Sequence, residues 1–309
     1  MSDLNKHNLP FYSATAGPWL VLAAAMLWGT TGTAQAFAPA GYDSAAIGAL
    51  RLLVGGIALL LLTLYRKEFG SFRDWQFRPL LLAALFTATY QLTFFSAVAK
   101  TGVAVGTVVG IGSAPIAGGL LALIFRGEKP GRRWYAATLL AIFGCILLGF
   151  SGGEVTVDPL GIALAIAAGA AYAAYTLMIK GLLEHQNPNA VMAIVVCLGA
   201  LILSPALFRI DTEWLLQPGS VAVILHLGLA TMALSYWLFA RGLQTVAVGS
   251  AVTLSLAEPM TAALLGIFVL GEILNLQAGL GIMLIFCGLA VLVIRRRAPK
   301  RERPHESAA

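Results

Sequence analysis

Charge is what this sequence of 309 residues has least of: Asp, Glu, Lys and Arg make up 11% of it, against 59% hydrophobic residues. A soluble domain carries roughly 25% charged residues, so a chain this apolar lacks the polar surface that would keep it dissolved. Cysteine is sparse too. Cys145, Cys197 and Cys287 sit in separate apolar runs, too scattered for a disulfide framework or a zinc site, and read as small packing residues. Catalytic signatures are also missing. No G-x-x-x-x-G-K-[ST], H-E-x-x-H or G-x-S-x-G occurs, and the four histidines lie far apart. P-loop ATP hydrolysis is therefore excluded, and the expectation is a non-enzyme that holds no cofactor or metal. The net charge of +6 comes from short loops and the tail, with no basic face interleaved with aromatics, which argues against nucleic acid.

What is abundant is long apolar runs. A bilayer core of about 30 Å needs roughly 20 apolar helical residues, and ten such runs occur, at 18–37, 44–65, 79–98, 103–125, 134–150, 159–179, 190–208, 221–240, 247–270 and 276–294. The fold expected is an all-α integral membrane protein of ten transmembrane helices. Ala34-Gln35-Ala36 resembles a signal-cleavage site. Only Lys6 precedes the first run, however, and cleavage would remove a member of the repeat described below, so the run is read as a retained helix. Seventeen of the twenty Lys and Arg residues fall in the termini and the even-numbered loops, two in the odd-numbered loops, and Arg51 within a span. The positive-inside rule then places both termini in the cytoplasm of a plasma membrane of the bacterial inner type, with Arg295-Arg296-Arg297 facing anionic headgroups.

The chain repeats itself. Val103-Ala104-Val105-Gly106-Thr107 corresponds to Val246-Ala247-Val248-Gly249-Ser250, Pro115 to Pro259, Gly127-Glu128 to Gly271-Glu272 and Gly144 to Gly288, at an offset of 143 and then 144 residues. Trp28 and Thr31 match Tyr172 and Tyr175 at 144. Five helices per half is odd, so the second half enters the membrane from the opposite side. The basic loop Arg126–Arg133 has a counterpart, 271–275, stripped of every cation, as inverted topology requires. The expected divisions are a cytoplasmic tail at 1–17, one repeat at 18–150, its inverted copy at 159–294 and a basic cytoplasmic tail at 295–309. Two inverted halves can exchange outward-open and inward-open shapes around a binding site near the midplane.

Candidate site residues follow from that geometry. Trp28, Thr31 and Gln35 share one face of the first helix, and Tyr172, Tyr175 and Thr176 take the equivalent face of the sixth. Tyr90, Gln91 and Phe94 on the third helix, with Ser235, Tyr236 and Phe239 on the eighth, supply further aromatics with polar neighbours, suited to a small amphipathic solute or to core packing. Arg51 and Glu258 lie deep within spans, where a charge facing lipid is costly, so both should face inward. Neither has a charged counterpart in the other half: Glu258 matches Ala114 and Arg51 falls near Val196. Glu258 suits a proton carrier, an amine-binding group or a partner of Arg51, and Arg51 suits a structural role. Pro115 and Pro259 are candidate hinges, since proline removes a helical hydrogen bond. Gly102, Gly106, Gly110, Ala114 and Gly118 recur every four residues, a stripe for static packing or for sliding. Lys180 and Arg241 are expected to snorkel to the cytoplasmic surface, Glu128 and Glu272 to cap a neighbouring helix or stabilise their loops, and His226 to sit at an interface rather than serve as a proton relay.

With Trp28-Gly29, Arg51-Leu52-Leu53, Pro115 followed by Gly127-Glu128, and Glu258-Pro259 followed by Gly271-Glu272, nearly the whole chain resembles EamA-type members of the drug/metabolite transporter superfamily. The resemblance implies ten helices as two EamA-type repeats, cytoplasmic termini, a central cavity, and export of amino acids, other metabolites or drugs, often coupled to protons. The implied partners are a small organic solute, H⁺ and the bilayer. The second half departs from the family pattern at Tyr172 and Val196, which leaves the solute open. The residues also leave open a facilitative channel or uniporter and a non-transporting scaffold.

Overall fold

A computed structural model describes residues 15–39, 44–150, 158–207, 213–271, 273 and 275–294. The N-terminal tail, Glu272 and the basic tail with Arg295-Arg296-Arg297 lie outside the described residues. The molecule is all-helical there. We number the helices α1 (Gly17–Ala36), α2 (Ser44–Arg66), α3 (Phe77–Gly102), α4 (Val105–Arg126), α5 (Arg132–Gly149), α6 (Pro159–Leu182), α7 (Pro188–Leu207), α8 (Pro218–Thr245), α9 (Val248–Leu270) and α10 (Leu276–Val293).

Nine of these helices are long and apolar enough to cross a membrane. The exception is α1, whose last two turns carry Thr30, Thr31, Thr33 and Gln35. It is nonetheless the tenth helix of the bundle, packed between α8 and α9, with Val21, Ala24, Ala25 and Trp28 buried and Trp19 and Met26 on the outer surface.

Local chemistry sets the helix ends. The Asp158 carboxylate accepts from the amides of Leu160 (2.8 Å) and Gly161 (3.2 Å) and starts α6. Asn275 Oδ1 accepts from Ala278 N at 2.8 Å and starts α10. Gly127 and Gly271 close α4 and α9 at φ 65° and 74°, a left-handed conformation that favours glycine. This explains why the Gly127/Gly271 correspondence survives between the halves. A turn at Gly102 (φ 79°) separates α3 from α4.

The packing repeats as the sequence does. A Cβ on Gly161 would meet Thr101 Cγ2 at 2.4 Å, and one on Gly17 would meet Thr245 Oγ1 at 2.0 Å. Both members of the second pair stand 144 residues from the first, in exchanged order. Likewise Gly144 lies against the carbonyl of Gly281 and Gly288 against that of Ala137, each 2.6 Å from a built Cβ. These contacts run antiparallel along α5 and α10. Leu52 meets Gly199, and Gly56 meets Cys197, antiparallel along α2 and α7. The scaffold is therefore two inverted five-helix units, with α5 beside α10 and α2 beside α7 as the self-matching pairs.

Polar ties between the halves gather at the end where α2 and α6 finish. Arg126 bonds Glu184 of the other half, Asn189 bonds Glu68, and Gln186 Nε2 donates to Asp74 O at 2.9 Å. Arg133 donates to the carbonyls of Val291 and Ile294, at the end of α10. Glu128 accepts from Arg126 Nε (2.9 Å) and from Val248 N (3.1 Å), so it caps α9 as expected.

Lys180 departs from the expectation of snorkelling. It is 9% exposed, and its Nζ donates to the carbonyls of Leu243 (2.6 Å), Gln244 (3.0 Å) and Val246 (3.1 Å). The end of α8 leaves those carbonyls without helical donors, and a buried ammonium satisfies all three. Arg241 likewise stays on the protein: its guanidinium stacks 3.9 Å from the Trp237 ring centroid and donates to Asn189 Oδ1 at 2.8 Å.

The glycine stripe on α4 does not form one sliding face. Gly106 abuts Val98 of α3, Gly110 the carbonyl of Ala165 on α6, and Gly118 the side chain of Val252 on α9. Each glycine fits a different neighbour.

Candidate solute site between the halves

The predicted aromatic residues converge where α1, α3, α6 and α8 meet. Trp28 is edge-on to Tyr172 and Tyr236, at centroid distances of 6.3 and 5.4 Å, and tilted against Phe239 at 5.3 Å. Tyr90 lies 5.7 Å from Tyr172 and 6.1 Å from Tyr175, and stacks on Phe94 at 5.6 Å. Tyr172 and Tyr175 are 5.0 Å apart. Edge-to-face and offset contacts at these separations are the favourable ones for aromatic rings. Each half supplies part of the cluster: Trp28, Tyr90 and Phe94 from the first, Tyr172, Tyr175, Tyr236 and Phe239 from the second.

Two helices are irregular beside this cluster. In α8, residues Leu229–Leu234 wind as a π-helix immediately before Ser235 and Tyr236, a local form often found at functional sites. In α9, the helix ends at Leu254 and restarts at Ala257. Ser255 thereby bonds the hydroxyl of Tyr172, and Glu258 enters the first turn of the new segment. Pro259 follows at a position where a helix has no donor to lose. Pro115, its counterpart, sits in a helix that runs on without interruption.

Glu258 is partly covered, in the first turn after the break in α9. It acts electrostatically on Arg51, Tyr90, Tyr172 and Tyr236. No ion pair joins it to Arg51 among the described residues, which removes the third role considered for it. Arg51 instead donates from Nη2 to Gln91 Oε1 at 3.1 Å, with its guanidinium carbon 5.9 Å from the Phe95 ring centroid.

The remaining candidates divide. The Thr176 hydroxyl donates to the carbonyl of Tyr172 (2.9 Å) and that of Ser235 to Thr231 (2.6 Å). Both are spent on their own helices. Thr31 is half-buried on the turn after Trp28, and Gln35 Nε2 is buried without a partner. His226 Nε2 lies 2.9 Å from Thr30 Oγ1, a tie between the halves. The sequence reading missed Ser255 and Phe95. Ser255 is three residues before Glu258, on the same face of an unbroken helix, and that spacing was the available signal for it. Phe95 carried none.

Comparison with known proteins gives a consistent result. The EamA-like transporter family matches the chain twice, over residues 15–150 and 159–294. YwfM, an uncharacterized transporter of Bacillus subtilis (strain 168), is 44% identical over 288 residues, spanning 93% of this chain and 96% of its own length. YicL, an uncharacterized inner membrane transporter of Salmonella typhimurium, is 28% identical over 296 residues and covers 93% and 98% respectively. A solved crystal structure shares the fold, with a TM-score of 0.77 at 19% identity, over 90% of this chain and 96% of the other.

Proposed function

The chain belongs to the EamA-like transporter family, and from that premise we propose that it is a secondary active exporter of small organic metabolites. It works by alternating access, with Glu258 as the group that couples transport to protons. The observation that carries this reading is the aromatic cluster built jointly by the two halves around Trp28 and Tyr172. A solute held there touches both moving bodies, so rocking one half against the other re-exposes it to the opposite face. The break in α9 supports the site, because interrupted helices mark solute and ion sites at the midplane of such folds. Glu258 lies within electrostatic range of Tyr90, Tyr172 and Tyr236 of that cluster, and on this reading its carboxyl takes up and releases the coupled proton.

Both termini lie in the cytoplasm on this reading, by the distribution of Lys and Arg. The ties of Arg126 to Glu184, Asn189 to Glu68 and Arg133 to the end of α10 then hold the cytoplasmic mouth shut. They must break for the site to load from inside.

The test has two parts. A metabolite screen of efflux from cells overproducing the protein identifies the solute. Counterflow in proteoliposomes then shows saturation and trans-stimulation for a carrier, which a channel lacks. Glu258→Gln is expected to abolish proton-coupled transport while leaving folded protein in the membrane. Transport with an unchanged pH dependence in that variant rules out the coupling role.

A further inference from the structure

We infer, building on the transport reading above, that Arg51 and Gln91 form an oxyanion subsite, and that the solute carries a carboxylate which docks there. Arg51 is 8% exposed and Gln91 1% exposed. Their mutual hydrogen bond uses one Nη2 proton of Arg51 and the Oε1 of Gln91. The Nε of Arg51 and the Nε2 of Gln91 remain, and both are buried without any acceptor. Buried N–H groups left unpaired are rare in folded proteins, because each forfeits its hydration for nothing.

Both orphans are donors, so what the pair lacks is an acceptor. One of the two donors belongs to a cation, which favours an anionic acceptor, and a carboxylate offers one oxygen to each of the two donors. The protein's own nearby carboxylate, Glu258, interacts with Arg51 but does not fill this place. The hydroxyls of Tyr90 and Tyr236 also lie within electrostatic range of Arg51, and the Phe95 ring packs beside its guanidinium. Arg51 brings a single cation to the site with the Glu258 carboxyl within its electrostatic range, which suits a carboxylate better than a phosphate dianion.

The inverted half argues against a purely structural role for the pair. The residue 144 positions after Gln91 is Ser235, which bonds back to its own helix. The position equivalent to Arg51 is near the apolar Val196. The same scaffold packs there without a buried donor pair.

The experiment uses the full chain in detergent and two acid–amide pairs as probes: 3-phenylpropionate with 3-phenylpropanamide, and phenylalanine with phenylalaninamide. Calorimetric titration is expected to show the acid binding at least tenfold tighter than its amide in one pair or both. Gln91→Glu keeps the acceptor that holds Arg51 but removes the free donor and adds a negative charge. It should weaken acid binding at least tenfold and leave amide binding within about twofold. Arg51→Lys keeps the charge but lacks Nε, and should lose the same preference. Equal affinity for acid and amide, no saturable acid binding, or an unchanged preference in Gln91→Glu overturns the subsite. Acid-selective binding that depends on Gln91, but without counterflow in proteoliposomes, leaves the subsite standing and overturns the transport reading instead.

Discussion

Gly144→Ala is the sharpest test of the packing between the inverted halves. The added Cβ would lie 2.6 Å from the carbonyl oxygen of Gly281, 2.7 Å from Ile285 Cγ1 and 2.8 Å from Ile285 N, where an ordinary contact begins at 3.4 Å. Two of those three atoms are backbone and cannot rotate aside, so α5 and α10 must separate. Overpacking of this kind costs about 1–3 kcal/mol, offset in part by the better helix propensity of alanine, about 1 kcal/mol. Gly112→Ala isolates the second term, because a Cβ there meets nothing within 4 Å. Gly144→Ala should thus fall about 2 kcal/mol below Gly112→Ala in stability, read from the midpoint of unfolding in detergent. Gly288→Ala makes the repeat-related contact with the carbonyl of Ala137 at 2.6 Å and should cost a similar amount. Adding Gly281→Ala to Gly144→Ala should cost less than the two separately, since the first already opens the seam. Equal stability of Gly144→Ala and Gly112→Ala would refute the close approach of α5 and α10 and, with it, the exchanged pair of contacts.

Three further outcomes follow from the polar ties. Lys180→Met leaves the carbonyls of Leu243, Gln244 and Val246 without their donor and should destabilise the protein by about 2 kcal/mol, measured by thermal unfolding. Glu184 is held below the ordinary glutamate range by its hydrogen bond to Arg126. That contribution is fully present above the ordinary value and disappears as pH falls through the lowered one. For so exposed a pair it amounts to about 0.5 kcal/mol after solvent screening. The stability gap between wild type and Glu184→Gln should therefore exist at pH 7 and close as the pH falls below the ordinary glutamate range. Asp158 is held low by the backbone N–H of Gly161, then by that of Leu160 and by Lys100. Asp158→Asn, which caps nearly as well, should retain protection of the first turn of α6 in hydrogen exchange, while Asp158→Ala loses it.

Most of the scaffold was legible because the bilayer imposes a simple code. Nine spans stand out by hydropathy, and α1, the least apolar with its threonines and Gln35, is legible as an apolar run at 18–37 whose match to α6 marks it as a retained helix. The ends were less legible. The apolar run at 221–240 grew into a helix from Pro218 to Thr245, because a buried lysine from α6 caps its last carbonyls, and no local pattern announces a distant cap. At the site, Trp28, Tyr90, Tyr172, Tyr175, Tyr236 and Phe239 declared themselves by helical spacing. Thr176 and Ser235 shared that spacing yet turned inward to their own backbones, the usual fate of a hydroxyl within a helix. The bond from Arg51 to Gln91 was hidden because it joins α2 to α3, and sequence spacing says nothing about which side chains two helices bring together.

The halves correspond at an offset of 143 residues at Gly106 and Gly249, and of 144 again at Pro115 and Pro259. The second half therefore holds one additional residue between those points, in the stretch where α9 breaks and α4 does not. Each residue of an α-helix advances the chain by about 100° around its axis. Absorbing one residue in the Ser255–Leu256 turn lets both flanking segments keep the packing phase of their counterparts. Removing it would force a choice between the lower segment's contacts and the direction in which Glu258 points. A single additional residue thus lets the two inverted halves keep the same packing while only one of them carries the charge.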